Sequence, residues 1–239
     1  MENNIEISTS NLITKSKAKS YLELMKLRLS FLVVISALLG YLIAADVIII
    51  PQLIMLISGG FLVTGSSNAF NQIIERNLDE MMDRTKSRPI PSHKLTVIEG
   101  SIFAFTIGII GIFLLWKINT TCAVLGVLAL FLYVAIYTPL KTKSPIAVFA
   151  GAFPGSIPPM LGYVAASGHF GLEPGVLFIV QFFWQYPHFW TIAWKLDDDY
   201  KKAGFRLLPS GRKDKKSAFH IMLYTALLIP VSMLTWAVK

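Results

Sequence analysis

This chain contains seven apolar runs, which are separated by more polar segments. A bilayer core about 30 Å thick is crossed by about 20 apolar residues in helical form, because the backbone polar groups are then satisfied within the segment. The pattern therefore predicts an all-α, polytopic membrane protein. The predicted spans are residues 29–49, 52–72, 97–116, 122–140, 145–166, 174–194 and 218–237.

The basic residues predict the orientation of these helices. If the N terminus lies inside, every Lys and Arg except Lys117 and Lys239 falls on an inner segment. Such an excess marks the cytoplasmic side of a membrane protein. Residues 1–25 have neither the apolar core of a signal peptide nor the pattern of a transit peptide, so they are predicted to form a cytoplasmic tail. Residues 26–239 are predicted to form a single membrane domain.

Composition supports a membrane protein and narrows its partners. The 239 residues are 54% hydrophobic and only 15% charged, with a mean hydropathy of +0.59. The net charge of +8 is typical of cytoplasmic loops beside anionic lipid, so the lipid bilayer is the expected partner and nucleic acid is not. The single cysteine, Cys122, excludes an internal disulfide or a cysteine metal cluster and is predicted to be a small buried side chain.

The most polar stretch lies between the second and third predicted spans and carries oxygen ligands at intervals of four residues. These residues are Asn71, Glu75, Asp79 and Asp83. On a helix, that spacing moves each side chain only about 40° around the axis, so the four are predicted to share one face. Two interpretations remain open. One is ion pairing with the arginines of the same stretch in a solvated loop; the other is a functional site, because acids at the end of an apolar span are costly.

A second acidic cluster, in WKLDDDYKKAGFRLLP, stands at the matching end of the sixth predicted span. Carboxylate and amide oxygens suit Mg²⁺, which commonly bridges one or two carboxylates to substrate phosphates. Two such clusters at one membrane face, interleaved with Lys and Arg, predict Mg²⁺ ions holding a diphosphate. A diphosphate leaving group needs this neutralisation by metal and cations.

Four motifs in this sequence resemble the UbiA superfamily of intramembrane prenyltransferases. NQIIERNLDEMMDRTKSRPIP is similar to the superfamily signature N-x-x-x-D-x-x-x-D, and its extension D-x-x-M-x-R-T-x-x-R-P resembles the heme O synthase branch. YTPLKTKSPIAVFAGAFPGSIPPMLGYVAASG, QFFWQYPHFWTIAW and DDYKKAGFRLLP follow in the family's order. The resemblance covers residues 26–209.

The resemblance implies a ring of transmembrane helices around a cavity that opens to the lipid, in the bacterial plasma membrane, with both acidic motifs facing the cytoplasm. The implied metal ligands are Asn71, Glu75, Asp79, Asp83, Asp198 and Asp199. The implied catalytic residues are Asp79, Asp83, Tyr137 and Lys141. The implied substrate-binding residues are Arg28, Asn71, Arg84, Arg88, Asp198, Asp199 and His188.

Some of these roles have alternatives that the sequence leaves open. Arg28 is expected to touch diphosphate, whereas Arg84 and Arg88 suit either diphosphate or a heme propionate. His188 is either an axial ligand of heme iron or a hydrogen-bonded structural residue. In the first case, the rings expected around the macrocycle are those of Trp184, Tyr186, Phe189 and Trp190. Pro187 is expected to break the helix before it. Tyr137 and Lys141 are otherwise explained as an interfacial aromatic residue and a topology-setting charge.

By resemblance, the reaction is Mg²⁺-dependent transfer of a farnesyl group from farnesyl diphosphate to the vinyl group of heme b, giving heme O. Heme A synthase or terminal-oxidase assembly would then be partners. Two alternatives are a related prenyltransferase acting on a quinone precursor and a noncatalytic membrane carrier or assembly factor. The chain departs from the family pattern at Glu75 and Asn77, where Asp is usual. It also has seven predicted spans instead of nine, so either it is truncated or fewer helices close the cavity.

Overall fold

The computed structural model describes residues 17–238, which form helices and no strands. Residues 1–16, most of the predicted tail, and residue 239 lie outside the described part. The helices are α1 (17–24), α2 (Leu27–Ala44), α3 (Ile50–Ile74), α4 (Arg76–Met81), α5 (Val97–Ile118), α6 (Thr120–Phe131), α7 (Thr138–Leu140), α8 (Ala147–Ser167), α9 (Leu172–Lys195), α10 (Asp197–Lys202) and α11 (Lys215–Ala237). A π-helical segment, Leu132–Tyr137, joins α6 to α7.

The predicted all-α membrane fold is confirmed, and each predicted span overlaps one long helix. Five helices within residues 17–238 are long and apolar enough to cross a membrane: α2, α3, α5, α11 and the continuous helix Thr120–Leu140. Helices α8 and α9 are long as well, but three prolines interrupt the apolar sequence of α8, and polar residues such as Gln185 and His188 lie within α9. These two less apolar helices also pack around Tyr137.

Local sequence signals explain where several helices begin. The hydroxyl of Thr96 accepts the backbone N–H of Glu99 while the Glu99 carboxylate accepts the N–H of Thr96, a reciprocal cap that starts α5. Asn119 accepts the N–H of Cys122 at the start of α6. Asp214 caps α11 in the same way through Ser217. Each cap gives a backbone N–H at the helix start a side-chain acceptor within the protein.

The sequence predicts that Pro187 breaks its helix, but the helix continues through this residue. Helix α9 runs without interruption from Leu172 to Lys195. A proline removes one backbone hydrogen bond from a helix. Here the neighbouring rings hold the helix on both sides of the proline, because Tyr186 and Trp190 are both buried against Tyr224 of α11. Tertiary packing therefore overrides the local preference.

Helix α8 lies at the centre of the bundle and packs against α2, α6 and α9. Its contact with α2 depends on small residues, because Gly162 faces the backbone of Ala37 and Gly40 faces the backbone of Pro159. A Cβ atom at Gly40 or at Gly162 would overlap a carbonyl oxygen of the other helix. Close approach through small residues is the usual way in which membrane helices gain packing contacts. Cys122, predicted to be buried, is fully buried nearby as a free thiol.

We expect Gly162→Ala to destabilise the protein by about 1–3 kcal/mol or more, because the added methyl group has to push α2 and α8 apart. The measurement is the midpoint of thermal unfolding in detergent. Gly175→Ala, in helix α9, is the matched control, since a Cβ there meets nothing within 4 Å. Equal midpoints for the two variants would contradict the tight contact.

Candidate active site

One end of the bundle gathers most of the predicted site residues, and we call it the charged end. It is formed by the α1–α2 junction, the end of α3 with α4, the segment after α7, and α10. Its buried or half-buried polar side chains are Lys26, Asn71, Glu75, Asp79, Arg88, Thr138, Lys141 and Asp199. The two acidic motifs, 116 residues apart in the sequence, meet here: the backbone N–H of Asp83 donates to Oδ1 of Asp199 over 2.9 Å.

Asn71 lies in the last turns of α3, where polar residues anchor this helix to its neighbours. Asn71 is 1% exposed. Its Nδ2 donates to the hydroxyl of Thr138 over 3.2 Å, and its Oδ1 lies 3.4 Å from Nζ of Lys26. The amides of Asn68 and Gln72 donate to backbone carbonyls at the end of α1. The amide oxygen of Asn71 is thus fixed beside a cation.

Glu75 and Lys141 form a buried ion pair. Nζ of Lys141 lies 2.8 Å from Oε1 and 3.1 Å from Oε2 of Glu75, and both residues are less than 9% exposed. The Lys141 ammonium also lies 4.8 Å from the ring centre of Tyr137 and 5.7 Å from that of Phe205. Burial opposes the charged form, but Glu75 raises the pKa of Lys141 above its ordinary value, so this lysine stays charged.

Asp79 and Arg88 form the second internal pair of the first motif. Asp79 is fully buried, and Nη1 of Arg88 donates to both of its carboxylate oxygens at 2.7 Å. The hydroxyl of Thr85 donates to the backbone carbonyl of Asp79, which folds the Arg-Thr part of the motif back onto α4. Arg88 keeps 19% of its side chain exposed, so one side of the guanidinium remains accessible to a ligand.

The four-residue spacing of the first motif does not produce one continuous helical face. Helix α3 ends at Ile74, α4 covers only Arg76–Met81, and Asp83 follows in a turn after the extended Met82. Asn71, Glu75 and Asp79 are buried, while Asp83 is exposed. The break at Glu75 coincides with the turn of its side chain toward Lys141, a contact that the sequence spacing does not contain.

Lys26, two residues before the predicted diphosphate-binding Arg28, lies beside Asn71 at the charged end. Arg28 is exposed on α2. Lys26 has a left-handed backbone, with φ of 51°, which is unusual for a residue other than glycine and is often found at functional sites. Burial, together with Arg88 and Lys141, lowers the pKa of Lys26 to about 7. Three basic side chains therefore converge around Asn71, Glu75 and Asp79.

Asp83 and Asp199 form an outer part of the site. Lys202 contacts the Asp83 carboxylate and lies 3.7 Å from Oδ1 of Asp199, and Lys86 donates to Asp83 over 2.7 Å. Hydrogen bonds from Lys202 and Lys86 lower the pKa of Asp83 to about 2. Asp198, the other predicted ligand in this motif, is exposed, whereas Asp197 is buried and paired with Lys201 at 2.6 Å.

Tyr137 lies at the end of the π-helical segment. Its ring is buried, packs 6.1 Å from the ring of Phe189, and covers Gly151 of α8, where a larger side chain would collide with it. Thr138 donates to the carbonyl of Tyr133, so the widened turn is hydrogen-bonded. π-helical turns within α-helices are frequent at functional sites. Here the turn places Tyr137 directly beneath the Lys141 ammonium.

The remaining predicted residues are more dispersed. Arg84 is exposed, with its guanidinium 5.9 Å from the ring centre of Tyr200. His188 is exposed on α9 and stacks on Trp184 at 4.3 Å, with Phe189 at its edge. Tyr186 and Trp190, also expected around an iron-bound ring, instead pack against α11.

The donor chemistry of the charged end fits Mg²⁺, although in the protein alone its acids are held by cations. Within residues 17–238, no three His, Cys, Asp or Glu side chains are already grouped as a metal site. The carboxylates present are nevertheless hard oxygen donors, and Asp83 and Asp199 from the two motifs are adjacent. The position of the Lys202 ammonium, in contact with both carboxylates, is suited in charge to a divalent ion. Mg²⁺ would be held by these acids once their lysine and arginine partners turn toward a diphosphate.

Most of this chain is similar in sequence to known proteins. The profile of the UbiA prenyltransferase family matches residues 33–238. The chain is similar to protoheme IX farnesyltransferase of Christiangramia forsetii, with 53% identity over 212 residues, which are 89% of this chain and 71% of the relative. It is 47% identical to protoheme IX farnesyltransferase of Flavobacterium johnsoniae over 228 residues, 94% of this chain and 76% of that protein.

Solved structures share the fold. Digeranylgeranylglyceryl phosphate synthase superposes with a TM-score of 0.77 at 24% sequence identity, covering 93% of this chain and 78% of that one. A UbiA homolog from Archaeoglobus fulgidus bound to DMAPP and Mg²⁺ superposes with a TM-score of 0.66 at 14% identity, covering 90% of this chain and 75% of that one. At these identities the likeness concerns the fold of the helical bundle.

Proposed function

Because this chain belongs to the UbiA prenyltransferase family and is a membrane prenyltransferase, we propose that it transfers a farnesyl group from farnesyl diphosphate to the vinyl group of heme b. The product would be heme O, and the reaction would require Mg²⁺. The charged end would face the cytoplasm from the plasma membrane of a bacterium, in line with the distribution of Lys and Arg. The carrier alternative has no support, since the family consists of prenyltransferases.

The acceptor assignment depends on one observation above the others. Relatives with 46–53% identity over most of this chain carry the name protoheme IX farnesyltransferase. The R-T-x-x-R-P extension is part of the site, where Thr85 and Arg88 hold the buried Asp79. The names of these relatives and the presence of this extension favour a heme acceptor over a quinone precursor.

The residues of the charged end suit the binding and departure of a diphosphate. Lys26, Arg88 and Lys141 surround the buried acids. Arg88 and Lys141 can turn from a carboxylate to a phosphate oxygen, and Lys26 can turn from the amide oxygen of Asn71. Mg²⁺, when bound by the acids, would supply further positive charge to the oxygen that leaves. Tyr137 would hold the Lys141 ammonium in place through its ring.

The bond changes follow from this placement. As the allylic C–O bond breaks, its electron pair stays with the diphosphate, where Lys26, Arg88 and Lys141 stabilise the charge. The farnesyl cation is attacked by the terminal carbon of the heme vinyl group. Water then adds to the cation formed next to the porphyrin ring and loses a proton, giving a hydroxyethylfarnesyl group. Apolar surroundings for the farnesyl chain would keep water from the first cation.

The heme would lie beside the diphosphate, and His188 and Arg84 are proposed to contact it. The stack of His188 on Trp184 presents an imidazole next to a flat aromatic surface, which suits a porphyrin. Arg84 is exposed and suits a propionate. A heme acceptor also makes heme A synthase or a terminal-oxidase assembly factor the expected partner downstream of the product.

Purified protein in detergent, incubated with heme b, farnesyl diphosphate and Mg²⁺, is expected to yield a porphyrin whose mass has increased by a farnesyl group and a hydroxyl group. Mass analysis of the extracted porphyrin measures this directly. Omitting Mg²⁺ should abolish the product. If a phenolic quinone precursor is prenylated in parallel incubations and heme b is not, the family assignment remains and the acceptor proposed here is wrong.

A further inference from the structure

Four charged groups balance one another where the two acidic motifs meet. Asp83 and Asp199 carry the negative charges, and Lys86 and Lys202 carry the positive ones. Lys202 is placed differently from Lys86. Its ammonium reaches carboxylates of both motifs, whereas the described contact of Lys86 is with Asp83 alone. Lys202 thus stands between the two acids that a bridging metal ion would join.

The position of Lys202 has a thermodynamic consequence for metal uptake. A positive charge that contacts both carboxylates stabilises their ionised forms. While the ammonium supplies it, an incoming divalent ion meets a group of nearly zero net charge and is repelled by the lysine. A metal ion that arrives with diphosphate brings negative charge, and the released ammonium gains phosphate oxygens as new acceptors. Binding of metal and of diphosphate then becomes mutually favourable.

We propose that Lys202 is a built-in counter-cation that contacts both Asp83 and Asp199, competes with divalent metal, and makes metal uptake depend on diphosphate. It is a positioning residue of the metal site and takes no part in the bond changes. This inference rests on the proposed metal-dependent function. Two lysines follow the three acids and Tyr200 in the second motif, and of these Lys202 is the one that reaches the first motif.

The test is equilibrium dialysis of the purified protein in detergent against Mn²⁺, with and without inorganic diphosphate, measuring the excess metal on the protein side. We expect Lys202→Gln to bind Mn²⁺ alone about tenfold more tightly than the unaltered protein, because a like charge close to the ion is removed. Diphosphate should then improve Mn²⁺ binding by a smaller factor than in the unaltered protein. Lys202→Met should give the same shift, and Lys202→Arg should behave like the unaltered protein.

Lys201→Gln is the matched control. This substitution removes one positive charge from the residue before Lys202. Because the Lys201 ammonium pairs with Asp197, the Lys201→Gln variant should bind Mn²⁺ like the unaltered protein. If both neutral Lys202 variants bind Mn²⁺ alone no more tightly than Lys201→Gln, while diphosphate still promotes metal binding, the inference is wrong and the proposed function stands. If the unaltered protein takes up no Mn²⁺ in either condition, the metal requirement of the proposed function fails and the inference fails with it.

Discussion

Replacing Asp79 with alanine is expected to lower the rate of prenyl transfer by about 10²- to 10³-fold, a loss similar to that from removing one stabilising group at a developing charge. Asp79 is fully buried and is held by Arg88 through both carboxylate oxygens. Without it, a proposed metal ligand disappears and Arg88 loses the group that orients it. The measurement is the initial rate of product formation over a range of Mg²⁺ and farnesyl diphosphate concentrations.

Glu80→Ala is the matched control for this prediction, because it removes a carboxylate from the next residue, which is exposed. Its rate should stay within about twofold of the unaltered protein, as is common for surface substitutions. Thermal unfolding of both variants separates lost catalysis from lost folding. If the Asp79→Ala protein folds and keeps more than half of the original rate, Asp79 is not a ligand of the metal. Asp79→Asn, which preserves shape, should be as inactive as the alanine variant if the charge is what matters.

The membrane helices could be predicted from the sequence because their signal is local. About 20 apolar residues in a row must form a helix in a bilayer, whatever surrounds them. The details that shape the site depend on contacts between distant segments. The break in the first motif at Glu75 and the π-helical turn before Thr138 have no signal in hydropathy, because both accompany side-chain contacts made across the bundle.

The cations of the site illustrate the same limit. Motif comparison favoured Arg28, but helical geometry and a left-handed residue at the start of α2 bring Lys26 to Asn71 and leave Arg28 on the outside. In residues 25–29, the resemblance points to Arg28, whereas the contact between Lys26 and Asn71 depends on the fold and has no signal in the sequence. Similarly, Asp197 and Asp199 are paired with lysines while Asp198 is exposed, although the three aspartates are equivalent in sequence.

Breaking the ion pair of Glu75 and Lys141 is the second substitution from which we expect a large effect, here on the stability of the protein. We expect Lys141→Met to destabilise the protein by about 3–5 kcal/mol, because it leaves the Glu75 carboxylate buried without its counter-charge. The double variant Glu75→Gln with Lys141→Met removes both charges and should recover most of this loss. The measurement is the free energy of unfolding in detergent, compared across both single variants and the double variant, which isolates the coupling energy of the pair.

Activity should not follow stability in this series, and that difference separates a structural role from a functional one. Lys141 is proposed to turn from Glu75 to the leaving diphosphate. The double variant should therefore be stable but inactive, with a rate of prenyl transfer at least about 10²-fold lower than that of the unaltered protein. Lys141→Arg keeps the charge and should retain more activity than either neutral variant. If the double variant were both stable and active, the buried pair would serve packing alone and the diphosphate would have to be held by Lys26 and Arg88. Additive destabilisation in the double variant would show instead that the two side chains are not coupled, despite the 2.8 Å between their charged atoms.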